Sequence, residues 1–416
     1  MSILEPKLEN IDLTEHPENI LVALTNATKE AMDFCFPTKT LSKRAKKRAL
    51  TPWFDTGIFK DEKTQARLFR RFIKTKSAVD HQIYKSFRNK LSKKKYKAKR
   101  SFFQNLLDDA KNSGDRSATW KVINKALGKK KKSRICPQKI QIGDPKNPTE
   151  STEPKDIANA LNKHFTSIAS KLAKKLEKTN IRPISYLGNQ NCSTMYLHNI
   201  TLEEIIELIK SISPQKAMGY DGIPPKIIKW APELFAPILM VIFNKCINLG
   251  YYPDAMKTGR VAPIHKDDDK NDVNNYRPIS VLTQFNQLFE RLLSKRLLSF
   301  FDKFKLITKK QFGFLKKHST EHAILDLKEY LLKNLDKKNV TALLFLDLQK
   351  AFDTVSHDIL LKKLRHYGVR GSVYRLFESY LNLKENNSQK SGIFYLICMI
   401  FSGVFPRAAS WDHFCF

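Results

Sequence analysis

The sequence predicts an α/β fold preceded by a basic, mainly helical arm, and three observations carry that reading. Apolar residues recur at near-helical spacing between lysines from 80 to 110. An apolar run at 340–346, rich in Leu and Phe, ends abruptly in Asp347 and reads as a buried strand. Helical patterns at 320–335 and 356–367 flank that strand on either side.

Charge places the arm. The chain has 416 residues and a net charge of +33, and residues 41–134 hold 30 Lys and Arg against 7 Asp and Glu. Two or more domains fit that length. A cationic block interleaved with Tyr84, Phe87, Tyr96, Phe102 and Phe103 suits a polyphosphate partner, because neutralised phosphates release counterions and rings stack on unpaired bases. The plain alternative is a solvated basic helix face without a partner. A membrane surface fits less well, since no long apolar face accompanies the charge. Lys93, Lys94, Lys95, Lys97, Lys99 and Arg100 form the densest part of the block and are its candidate nucleic-acid contacts. The six cysteines include no C-x-x-C pair, which argues against zinc or a disulfide scaffold and for a reducing compartment. No signal peptide opens the sequence, and the apolar stretch 392–405 is too short and interrupted to span a bilayer. The expected location is nuclear, cytoplasmic or both.

Taken in order, residues 1–40 form an N-terminal segment of mixed charge with short helices and a break at Pro37. The arm, 41–135, carries one long helix over 80–110, continued by Trp120, Ile123 and Leu127 to a stop at Gly128. Residues 136–200 read as linker (137–154) and then a helix over 156–176 with Asp156 as its N-cap. Thr201 and Glu204 give a capping box ahead of the stripe Leu202, Ile205, Ile206 and Ile209. A turn follows at 219–222, then helices over 227–250 broken by Pro232 and Pro237, and another helix over 282–301.

An acid closing an apolar strand is costly unless a cation or hydrogen bonds compensate it, and Mg²⁺ is one economical compensation. A solvent-facing Asp347 is the bland alternative. Five ordered blocks set beside it decide between them: Lys216–Pro224 with Gly219 and Asp221, Val261–Lys266, Asn275–Ser280, Gln311–Phe314, and Ser319–Ile324. In this order and spacing they resemble the fingers and palm of reverse transcriptases of non-LTR (LINE, jockey-like) retrotransposons, over roughly residues 200–380. An intron-maturase-like splicing cofactor fits less well, because the blocks at 276–280 and 311–324 look LINE-like.

The resemblance implies an incomplete right-hand polymerase over 201–383, with RNA, DNA and dNTPs as partners and Mg²⁺ as cofactor. By the same resemblance Asp347 is the first catalytic carboxylate and the Leu348 carbonyl a further metal ligand. Lys266 and Arg277 grip the incoming triphosphate. Phe352 excludes a 2′-hydroxyl, Asp353 has a local hydrogen-bonding role, and Gln311, Gly313 and Phe314 lie along the template. An endonuclease is usual further upstream in such elements and none is visible, so the chain is expected to start after it.

Past Asn382 the family pattern stops. One permitted codon string for 406–416, read with one nucleotide added in front, encodes Pro-Gln-Gly-Ser-Ile-Leu-Gly-Pro-Leu-Leu-Phe, the block expected there. A shift of two nucleotides over 384–400 restores a second family-like segment. Residues 384–416 are therefore expected to be an out-of-frame tail that lacks the paired aspartates of a Tyr-Ala-Asp-Asp hairpin. Without its remaining palm strands, 340–346 would be an unpaired apolar edge that lowers solubility. The reading is a truncated polymerase copy, inactive alone; the alternative is a non-catalytic nucleic-acid-binding remnant acting through the arm.

Overall fold

The computed structural model describes residues 3–37, 50–114, 116–129, 139–144, 147–173, 183–266, 268–313, 317–346 and 355–382, with single positions 40, 42, 45, 137 and 315. The chain divides into two compact units, Pro37–Ile135 and a larger one made of Met1–Phe36 with Cys136–Phe416.

The larger unit begins with α1 (Leu4–Glu9) and α2 (Pro17–Cys35). The smaller unit is a helical hairpin with a third helix. Asp55 caps α3 (Thr56–Thr75) by accepting the Ile58 N–H at 2.6 Å, and Lys76 ends it in the left-handed region. Ser77 then caps α4 (Ala78–Asn112), 35 residues long, in place of the helix expected over 80–110. Asp80 ties the hinge by pairing with Arg71 at 3.0 Å and accepting from Thr75 at 2.6 Å. The pattern does not run on unbroken to Gly128: Gly114, at φ +68°, turns the chain into a separate α5 (Arg116–Ala126).

In the larger unit the expected linker contains a hairpin, β1 (Ile140–Asp144) with β2 (Asn147–Ser151). Helix α6 runs Pro154–Ala173, so Asp156 lies in its first turn and is not its cap. Helix α7 (Leu202–Lys210) is capped by Thr201, whose hydroxyl accepts the Glu204 N–H at 3.3 Å. The Glu204 carboxylate turns away to Arg296 at 3.0 Å, so the capping box is half made. Pro232 separates α8 (Pro225–Trp230) from α9 (Pro232–Leu249), but Pro237 lies inside α9 without ending it. After the short α10 (Asp254–Lys257) come β3 (Gly259–His265), β4 (Tyr276–Leu282), α11 (Gln284–Lys303) and α12 (Thr320–Asp336). Last are α13 (His357–His366), capped by Ser356, and α14 (Gly371–Leu381). The result is mixed and mainly helical, with two small antiparallel hairpins among the described residues.

Helix α9 is the centre of the core. It is long and apolar enough to cross a bilayer by composition, yet Phe235, Leu239, Ile242, Phe243 and Cys246 are fully buried in this core. It packs against α2, α7 and α14, while α11 stacks Phe289 on Phe243 with centroids 4.6 Å apart. The N-terminal segment is tied in by Glu18. Its carboxylate accepts the Asp254 and Ala255 N–H groups at 2.7 and 2.9 Å, capping α10, and the Tyr251 hydroxyl at 3.1 Å. Burial, then the Glu18 charge, pushes the Tyr251 hydroxyl up to about 12. Glu18→Ala is therefore expected to destabilise the chain by about 1.5–3 kcal/mol, the worth of a hydrogen bond to a charged group. The urea midpoint checks it.

The strand expected at 340–346 is not formed. These residues adopt no regular structure and pair with no strand among the described residues, and Val340, Leu344, Phe345 and Leu346 are exposed, Val340 fully. A strand needs a partner for its backbone groups, and local propensity cannot supply one.

Candidate functional site

The β3–β4 hairpin positions the two cations. Its register pairs Gly259 with Leu282, Ile264 with Arg277 and His265 with Tyr276. The Lys266 N–H donates to the Asn275 carbonyl at 2.8 Å, extending the ladder by one step. Side chains alternate faces with period two, so Lys266 and Arg277 are diagonal neighbours on one face. Both are exposed. Arg260 lies on that face too, four positions from the residue opposite Arg277, and is exposed as well. No motif marked it; its even spacing from Lys266 was the available signal.

The opposite face anchors the hairpin. Tyr276 is buried among Ile140, Ile157 and Leu161, with its hydroxyl donating to the Lys270 carbonyl at 2.7 Å. His265 packs edge-on against it at 5.4 Å. The connecting loop is held by Asp272, which accepts the Asn274 N–H at 2.9 Å, and by the Asn275 amide on the Asp269 carbonyl at 2.9 Å. A face anchored through Tyr276, with Lys266 and Arg277 exposed on the other, is an arrangement that presents phosphate-binding charge on a rigid base.

Gly219 lies against the end of this hairpin. A Cβ there would sit 2.8 Å from the Thr283 backbone, so only glycine allows the approach. Two residues on, Asp221 is buried; its Oδ1 accepts the Ile223 N–H at 3.3 Å, and Oδ2 has no partner among the described residues. Burial raises its pKa, opposed in part by the Ile223 hydrogen bond and the Lys29 charge. A raised folded-state pKa favours the protonated acid in the folded chain. That stability is fully present below about 3.8 and is lost as pH rises through the folded value. Asp221→Asn should therefore raise the melting temperature at neutral pH, with the gain vanishing toward acid. A melting series across pH checks the sign.

Gln311 is buried, its amide 3.5 Å from the Gly313 carbonyl, so its side chain turns onto its own loop. A Cβ on Gly313 would meet nothing within 4 Å among the described residues, so packing within the chain does not require glycine there. Asp347, Leu348, Phe352, Asp353, Phe314 and the tail 384–416 lie outside the described residues. Among the described residues no three His, Cys, Asp or Glu side chains form a group that could hold a metal ion.

Sequence reasoning missed a buried polar network at the start of α11. The fully buried Tyr252 donates its hydroxyl to Asn286 Oδ1 at 2.5 Å, and Asn286 donates to Glu290 Oε1 at 2.7 Å. Tyr380 reaches the same Glu290 oxygen at 3.4 Å. Two polar residues one turn apart on an otherwise apolar stripe of α11 were the signal.

In the smaller unit the six basic candidates separate by partner. Lys94 pairs with Asp61 at 2.7 Å and Lys95 with Glu62 at 3.0 Å, while Lys99 lies over the Trp53 ring at 5.5 Å. These three support the hairpin. Lys93, Lys97 and Arg100, with Lys90, are exposed on one helical face and have no ion-pair partner among the described residues. Of the ring residues, Phe102 and Phe103 pack on Trp53 at 6.1 and 5.7 Å and so belong to the packing. Residues 130–134 of the basic run lie outside the described residues.

Residues 264–401 match the family described as reverse transcriptase (RNA-dependent DNA polymerase). They span Lys266, Arg277 and Asp347, and form a reverse transcriptase domain. The chain is 29% identical over 318 residues to the RNA-directed DNA polymerase from mobile element jockey of Drosophila funebris, covering 75% of this chain and 33% of that protein. It is 28% identical over 317 residues to the probable RNA-directed DNA polymerase from transposon BS of Drosophila melanogaster, 76% and 34% of the two. It is also 32% identical over 179 residues to the corresponding X-element protein of Drosophila melanogaster, 43% and 20%. The domain is of the jockey-like, non-LTR retrotransposon kind. The chain spans about a third of the length of the first two of these relatives.

Proposed function

We propose that this chain supplies the fingers and leading palm of an RNA-directed DNA polymerase, with RNA and DNA as template and primer. The observation that carries it is the pair Lys266 and Arg277, side by side on the exposed face of a hairpin whose other face is anchored. A point charge and a planar fork there hold the triphosphate oxygens of a dNTP. Phe352 closes the sugar position against a 2′-hydroxyl, and Gln311, Gly313 and Phe314 follow the template, with the buried Gln311 shaping its loop. Asp347, with the Leu348 carbonyl, would hold Mg²⁺, which would supply positive charge to neutralise the transferring phosphate.

The 416-residue sequence contains no Tyr-Ala-Asp-Asp hairpin. One carboxylate does not fix two metal ions, so the polypeptide alone is expected not to extend a primer on an RNA template. Extension by the purified chain, abolished by Asp347→Ala, would contradict this. A second reading rests on the open face Lys90, Lys93, Lys97 and Arg100: the arm binds nucleic acid whether or not the polymerase works. RNA affinity falling steeply with salt, and indifferent to Asp347→Ala, supports it.

A further inference from the structure

Between α3 and α4 lies a cleft of about 590 Å³ that the packing of the two helices leaves open. Phe59, Ala66, Phe69 and Tyr84 give it an apolar, aromatic wall, with Phe69 44% exposed and 5.2 Å from Tyr84. The lining carboxylate Glu62 is already paired with Lys95 at 3.0 Å. Lys63 stands on the rim, and the Arg88 guanidinium lies 5.9 Å from the Tyr84 ring centre. The exposed Phe69 ring beside the half-buried Tyr84, with cations next to them in a stretch of 30 basic and 7 acidic residues, calls for a ligand with flat apolar faces and negative charge at once. An acidic peptide helix would answer the charge but gain little from rings in a cleft.

We propose that this cleft seats unpaired bases of a single-stranded RNA, stacked against Phe69 and Tyr84, with phosphates on Lys63 and Arg88. The inference rests on the arm's binding nucleic acid and adds that it distinguishes single strands from duplex, whose bases are not free to enter. Base stacking on rings tolerates any sequence, so no base preference is expected.

The test uses the full chain and three probes of equal length: an unstructured RNA, its duplex, and an abasic phosphodiester oligomer. Phe69→Leu and Tyr84→Leu keep apolar bulk but remove a ring. Each should weaken RNA binding about ten-fold, leave the abasic oligomer and the duplex unchanged, and preserve the salt slope. Tyr84→Trp should retain RNA affinity, and its added indole emission should change with RNA but not with the abasic oligomer. Leucine variants that bind RNA like the parent, or lose RNA and abasic oligomer equally, overturn the proposal, as does an added indole emission that ignores RNA. A parent chain that binds the abasic oligomer as tightly as RNA overturns the cleft and leaves the arm reading intact. A parent that binds neither probe overturns both.

Discussion

A chain carrying Asn286→Leu should lose about 3–5 kcal/mol of stability, the scale for breaking a buried network that contains a charge. The amide serves two buried neighbours at once, accepting from Tyr252 at 2.5 Å and donating to Glu290 at 2.7 Å. Leucine fills similar space but leaves the Tyr252 hydroxyl without its acceptor and takes a donor from the Glu290 carboxylate. Desolvated hydroxyls left unpaired cost about 1–3 kcal/mol, and charged groups more. Domains are stable by only about 5–15 kcal/mol, so the variant is expected near the edge of folding. Tyr252→Phe removes the donor and lets Asn286 keep Glu290, so its effect should be nearer 1 kcal/mol. Denaturant midpoints for the two variants check this; a smaller shift for Asn286→Leu than for Tyr252→Phe would contradict the network.

Removal of the two neighbouring cations of the hairpin, Lys266→Ala with Arg277→Ala, should nearly abolish dNTP binding. A hydrogen bond to a charged group contributes about 1.5–3 kcal/mol, so each loss is roughly ten- to a hundred-fold in affinity. Arg277→Lys should recover only part, because an ammonium cannot reproduce a two-pronged contact. Arg260→Ala is the internal control: it shares the face but lies four strand positions away, about 13 Å at strand rise, beyond one triphosphate grip. Equilibrium dNTP binding by the parent, the double variant, Arg277→Ala, Arg277→Lys and Arg260→Ala checks the order. An Arg260→Ala loss as large as that of Arg277→Ala would assign the face to general charge.

The helices expected over 80–110, 320–335 and 356–367 were legible because each carries its own signals, whereas α3 and α14 were not anticipated. Ser77, Ser319 and Ser356 cap α4, α12 and α13 with their side chains, and apolar residues behind them keep one stripe. The hairpin that holds the site was not legible, and its prolines are the reason. Pro263 and Pro278 argue against strands when read singly. In the fold they face each other. Counting outward from the bonded pair Lys266–Asn275, alternation makes theirs a non-bonded pair, where the missing N–H groups would have pointed away from the ladder. That tolerance exists only once the partner strand is known. The run 340–346 errs the other way, since its composition suits a strand and nothing described pairs with it. Lys266 and Arg277 were recognisable from the blocks around them; their shared face came from the register, and the Asn286 network from tertiary packing.

Lysine acetylation of the native chain, mapped residue by residue with and without dNTP and Mg²⁺, tests most directly whether the hairpin is a nucleotide grip. Lys266 should be shielded by nucleotide and regain full reactivity in Arg277→Ala, while the exposed Lys93 and Lys97 stay unchanged throughout. Lys266 labelled equally fast at saturating and zero nucleotide would contradict the assignment of this face to the triphosphate.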